Sequence, residues 1–160
     1  VLAFSPDGRF VVTALETQDR LALYALAVDG TLALVPPATF DGSSTGDRPL
    51  GVVVHPRGRF VLAATLAGGS TPGSMGSGAI DVFNLEPNGG VLSRVGALVT
   101  GLGPCEIQFE PAGLVAYALN RMGKDLSILR FDAQSGGLIT TGVVTLGNRP
   151  TRLVLREVTE

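Results

Sequence analysis

The stretch Phe4–Phe10, FSPDGRF, decides how this chain is read. It returns as VHPRGRF at Val54–Phe60 and, more worn, as FEPAGLV at Phe109–Val115. Each copy ends one apolar run (VLAF, GVVV or EIQF), turns through a proline and a glycine, and starts a second apolar run. The prolines Pro6, Pro56 and Pro111 stand 50 and 55 residues apart. Self-similarity at such a period marks a repeat architecture, and it governs every later inference.

The chemistry of the stretch says what is repeated. In Ser5-Pro6-Asp7-Gly8 the proline presets φ near −65° at the second turn position. The glycine supplies the left-handed conformation that other residues reach only with strain. A type I turn closed by a left-handed glycine joins two antiparallel strands as a bulged hairpin. Each corner therefore predicts a pair of neighbouring strands.

Further strands follow each corner. In the first unit a polar turn over Glu16–Arg20 leads to LALYALAV, and Asp29-Gly30 leads to TLALVPPATF. Pro36 and Pro37 fit only an edge, where ladder bonds are dispensable. The second unit runs GVVVHPRGRFVLAATL, a Gly/Ser-rich insertion over Gly68–Gly78, AIDVFNLE, a turn at Asn88-Gly89-Gly90, and VLSRVGALV. The third runs EIQFEPAGLVAYALN, LSILRFDA, a turn at Ser135-Gly136-Gly137, and LITTGVVTL. Finally RPTRLVLRE matches RPLGVVV and GPCEIQF, the start of another unit.

Four-stranded antiparallel units joined outer strand to inner strand are the blades of a β-propeller. The expectation is an all-β propeller fragment with three blades, over 1–40, 50–99 and 104–146, plus the first strand of a fourth over 150–156. Three blades do not close a ring. The remaining blades are expected from missing chain or from self-association. The chain also opens on Val1 inside an apolar run, as a fragment would.

Composition agrees. The 160 residues are 45% hydrophobic and only 16% charged, yet no run reaches the length of a membrane span. Strands buried on both faces read in this way. A net charge of −2 without tryptophan argues against nucleic acid as a partner. The single cysteine, Cys105, excludes an internal disulfide, and the single histidine, His55, excludes a multi-histidine metal site. Asp7, Asp81 and Asp132 form no tight acidic cluster in sequence, so neither a metal nor a cofactor is expected. Gly42–Gly46 matches G-x-S-x-G by letter but has no helix after it, so no nucleophile is assigned there. The Gly68–Gly78 glycines lack the closing G-K-[ST] of a phosphate loop. Compartment stays open, with the cytoplasm slightly favoured over periplasm or secretion.

Two stretches carry a family resemblance: PCEIQFEPAGLVAYALNRMGKDLSILRFDAQSGGL at Pro104–Leu138 and GVVTLGNRPTRLVL at Gly142–Leu155. They resemble the lactonase-type seven-bladed propellers, which include the 6-phosphogluconolactonases and the fungal carboxymuconate-cyclizing enzymes. The resemblance implies a channel site with a histidine upstream of the first blade, an arginine at Leu50, a glutamate at Thr65 and an arginine at Arg121. Only Arg121, beside Asn120, keeps the implied residue type. The reading that follows is a lactonase-family scaffold, without an assigned catalytic residue, that binds a small anionic or sugar-type ligand. Candidate contacts are Arg121, Asn120, Glu106, Arg48 and Arg149, on loops expected to share one propeller face. The alternatives are a sugar-lactone hydrolase and a YVTN-type surface repeat protein.

Overall fold

The computed structural model describes residues 1–41, 48–66, 77–86, 88, 90–148 and 150–156. Each expected corner closes as predicted. The N–H of Gly8, Gly58 and Gly113 donates to the carbonyl of Ser5, His55 and Glu110, at 2.9, 2.7 and 3.0 Å. The three glycines take φ of 70°, 76° and 76°. Side chains at the first turn position lock the corner in three different ways. The Ser5 hydroxyl accepts from the Phe10 N–H at 2.9 Å. His55 Nδ1 accepts from the Arg57 N–H at 3.0 Å. The Glu110 carboxylate accepts from the N–H of Ala112, Leu114 and Val115 at 2.6–3.1 Å.

From these corners grow three four-stranded antiparallel sheets, each in simple sequence order. Blade one holds β1 (Leu2–Phe4), β2 (Phe10–Leu15), β3 (Arg20–Leu26) and β4 (Leu32–Asp41). Blade two holds β5 (Arg48–Val54), β6 (Phe60–Leu66), β7 (Ser77–Leu85) and β8 (Leu92–Leu102). Blade three holds β9 (Pro104–Phe109), β10 (Val115–Asn120), β11 (Asp125–Phe131) and β12 (Leu138–Thr145). The helical structure among the described residues is one 3₁₀ turn, Glu16–Gln18. Among the described residues no helix is long and apolar enough to cross a membrane. The prolines of β4 lie on an outermost strand, where the register jumps from Ala22–Thr39 to Tyr24–Leu34 and leaves them in a bulge.

Blades stack face to face through two apolar cores. Phe10, Val12, Leu21 and Leu23 of blade one meet Val52, Val61, Ala63 and Phe83 of blade two. Phe60, Leu62, Ile80 and Val82 of blade two meet Ile107, Ala116, Leu129 and Phe131 of blade three. Alternate residues of β6 thus enter opposite cores, which is why FVLAA, Phe60–Ala64, is apolar without a break. The aromatic after each corner arginine enters a turn of the next blade. A Cβ on Gly90 would lie 2.9 Å from the Phe10 ring, and one on Gly136 would lie 2.8 Å from the Phe60 ring.

The segment after blade three is held by side chains. Over Thr151–Arg156 no strand ladder forms. The chain instead lies beside β9, gripped by side chains. Gln108 Nε2 donates to the Leu153 carbonyl at 2.7 Å, and the Leu153 N–H donates to Glu106 Oε2 at 2.6 Å. An innermost strand is fixed by the second strand of its own blade, and among the described residues none pairs with this segment.

Candidate functional site

A bulge at the start of the innermost strands builds the site. Opposite β6 the register steps from Pro49–Thr65 to Gly51–Ala64, leaving Leu50 unpaired. Opposite β10 it steps from Asn120–Pro104 to Leu119–Glu106, leaving Cys105 unpaired. A bulged residue is re-aimed out of the alternating pattern. Here both side chains turn into one cleft of about 660 Å³.

The rest of the lining comes from equivalent positions in successive blades. Glu16, Leu66 and Arg121 each sit at the end of a blade's second strand or just beyond it, and all three reach the cleft. Arg48, Gly103, Met122 and Lys124 complete it. The Arg121–Lys124 turn is anchored by its backbone. The Arg121 N–H donates to the Gly103 carbonyl at 2.9 Å, and those of Met122 and Gly123 donate to the Leu102 carbonyl at 3.1 and 2.8 Å.

Charge is unevenly spread. Arg48 Nη1 lies 3.7 Å from Glu16 Oε1, both side chains half exposed. Among the described residues, Arg121 and Lys124 have no acidic side chain within ion-pair distance. Both are exposed to solvent. Burial, then the neighbouring Glu106 charge, pushes the Cys105 thiol above its ordinary pKa, outweighing the opposing pull of Arg121. Its Sγ donates to the Leu119 carbonyl at 3.5 Å. A protonated, hydrogen-bonded thiol is a poor nucleophile.

The five candidate residues part company. Arg48 and Arg121 come together in the cleft. Asn120 is fully buried behind it. Its amide donates to Asp125 Oδ1 at 2.6 Å and Ser127 Oγ at 2.8 Å. Its carbonyl accepts from Thr100 Oγ1 at 3.5 Å, so Asn120 ties β8, β10 and β11 together. Glu106 faces a different groove, lined by the inner strands and Arg152, where it holds Leu153. Arg149 lies outside the described residues, as do Gly42–Gly46 and most of the Gly68–Gly78 insertion. Sequence reasoning missed Lys124 and Glu16. Counting outward from the repeated corners would have paired Glu16 with Arg121.

Thr65 does not face the cleft. It is buried, with Oγ1 donating to Asp81 Oδ2 at 2.8 Å, and Arg94 Nε donates to Asp81 Oδ1 at 2.8 Å. His55 is buried at the opposite end of its blade, its Nε2 3.0 Å from the Gly113 carbonyl. Among the described residues no three His, Cys, Asp or Glu groups gather as metal ligands.

Solved structures share this fold. A candidate 6-phosphogluconolactonase of Bacteroides uniformis superposes with a TM-score of 0.82 at 21% identity, over 94% of this chain and 41% of that one. A second candidate 6-phosphogluconolactonase, from Bacteroides fragilis, gives 0.82 at 20%, over 94% and 39%. The periplasmic gluconolactonase of Pseudomonas aeruginosa gives 0.77 at 24%, over 95% and 40%. The chain thus spans about two fifths of the length of these structures. Among curated proteins none matches the sequence. The profile described as "Lactonase, 7-bladed beta-propeller" matches residues 37–155. Three stacked blades, corner by corner, and a profile match over most of the chain lead to one assignment: the chain belongs to the seven-bladed β-propeller lactonase family.

Proposed function

We propose that these blades form part of a binding site for a small anion, and that this part of the propeller serves as a scaffold for binding and not for hydrolysis. The observation that carries the reading is the convergence of Arg48, Arg121 and Lys124 on one cleft at the strand-start end of the blades. Ligand sites concentrate on loops held by a rigid frame, and guanidinium groups pair well with carboxylate and phosphate. Hydrolysis of a lactone needs a group to move a proton as well as a donor for the oxyanion. Among the described residues the acid in the cleft is Glu16, already beside Arg48, and the thiol is held protonated. Leucine occupies position 50, and Thr65 is turned into the blade.

A second reading, a sugar-lactone hydrolase, is favoured by Arg121 and by the names of the structural neighbours. The test measures glucono-1,5-lactone hydrolysis and 6-phosphogluconate binding for the chain and its Arg121→Ala variant. Arg121-dependent binding without turnover is expected. Turnover that falls with Arg121→Ala would replace the scaffold reading with the hydrolase one.

A further inference from the structure

The cleft is divided along the order of the blades. On the blade-one side Glu16 meets Arg48, so those charges are mutually engaged. In the middle, blade two contributes Leu50 and Leu66, both half-buried. On the blade-three side Met122 adds an apolar wall, and Arg121 and Lys124 carry positive charge without an acidic side chain beside them among the described residues. Among the described residues that line the cleft, the remaining neutral polar side chain, the Cys105 thiol, is hydrogen-bonded to Leu119. A polyol in this cleft would set its hydroxyls against leucine and methionine, where each lost hydrogen bond with water goes unreplaced.

Resting on the anion-binding reading of the same cleft, we infer that its ligand is an amphiphilic carboxylate, poor in hydroxyls. The carboxylate meets Arg121 and Lys124, and an apolar or aromatic body lies over Leu50, Leu66 and Met122. The neutral middle selects against sugar acids, and the cationic end selects against uncharged apolar molecules.

Three probes distinguish the outcomes by calorimetry: 2-naphthoate, 6-phosphogluconate, and neutral 2-naphthalenemethanol. For the chain, 2-naphthoate binds at least about tenfold tighter than either of the others, the scale of one charge-assisted contact or one well-buried apolar group. Arg121→Ala, at an exposed position, weakens 2-naphthoate about tenfold. Leu66→Gln weakens it severalfold and narrows its advantage over 6-phosphogluconate. If 6-phosphogluconate binds as tightly as 2-naphthoate and depends on Arg121, the amphiphile inference fails while the anion site stands. If 2-naphthalenemethanol matches 2-naphthoate, the contact is merely apolar and the inference fails. If no anion shows Arg121-dependent binding, both readings fall.

Discussion

His55 Nε2, in the corner of blade two, donates across 3.0 Å to the carbonyl oxygen of Gly113, in the corner of blade three. The direction follows from the other ring nitrogen. Nδ1 accepts from the Arg57 N–H at 3.0 Å, so the proton of the neutral ring sits on Nε2. Phe109 and Phe131 pack against the imidazole, with ring centroids 4.9 and 5.1 Å away. One side chain thus locks its own turn and staples two blades.

That placement makes stability depend on pH. Burial pushes the His55 pKa below its ordinary value and the Arg57 charge adds to this, outweighing the Gly113 hydrogen bond and the Glu110 charge. The unfolded chain therefore binds the proton first. Stability is fully present above the unfolded histidine pKa of about 6.5 and declines as pH falls below it. Urea unfolding midpoints between pH 8 and 5 should show this decline, and His55→Gln should flatten it. Asp7, held low by its Ser5 and Arg9 hydrogen bonds, loses its contribution only at more acidic pH, from the ordinary carboxylate range downward. An unchanged slope in His55→Gln would remove the histidine from the account.

The same pair sets unequal costs at equivalent glycines. A Cβ at Gly8 meets nothing within 4 Å, so Gly8→Ala carries only the strain of a left-handed residue, about 1 kcal/mol. A Cβ at Gly113 would lie 2.4 Å from His55 Nε2. Gly113→Ala must also displace the buried imidazole, and should cost about 2–4 kcal/mol. Chemical denaturation of both variants checks the difference. Equal losses would mean that the staple gives way without cost.

Much of the fold could be read from the corners because proline, glycine and alternation act locally. Pro36 and Pro37 announced an outer strand, and the apolar run Phe60–Ala64 of β6 announced two buried faces. The site was less legible because it depends on bulges. Leu50 and Cys105 enter the cleft only because one extra residue shifts the phase of β5 and β9, and alternation cannot locate such a slip. The same limitation hid the fate of Asn120. Beside Arg121 in sequence it resembled a binding residue, but one step along the strand sends it into the sheet with Ser127. The placement of Glu106 was hidden for a related reason, since its partner Leu153 lies 47 positions away.

The two charge contacts of blade two should behave differently on truncation. Arg48 and Glu16 are half exposed and 3.7 Å apart, so Arg48→Ala should change stability by less than about 1 kcal/mol. Asp81 is buried, and Arg94 Nη2 lies 2.7 Å from its Oδ1. Arg94 is itself about one third exposed, so water relieves part of the loss. Arg94→Ala should still cost about 1–3 kcal/mol, because it leaves a buried carboxylate short of its partner. Thermal or urea denaturation of the two variants gives the comparison, and a larger loss for Arg48→Ala would reverse the ranking.

Placing a glutamate at position 65, where the lactonase resemblance implies one, tests whether lactone hydrolysis follows from that one change. The Thr65 hydroxyl now points into blade two, 2.8 Å from Asp81 and 3.2 Å from the Ala79 carbonyl. A carboxylate there would face both acceptors with no proton to give, and would set a second negative charge beside a buried one. Like charges at that range raise a carboxyl pKa and oppose folding. Thr65→Glu should therefore lower stability by about 2–4 kcal/mol at neutral pH, with part of the loss regained on mild acidification. Lactone hydrolysis should not appear, because the new carboxylate is drawn toward Arg94 and not toward the cleft. Urea unfolding at pH 7 and 5 together with a lactonase assay decides it. A stable Thr65→Glu protein with new turnover would show that the strand end can rotate its side chain into the cleft, and the scaffold reading would give way.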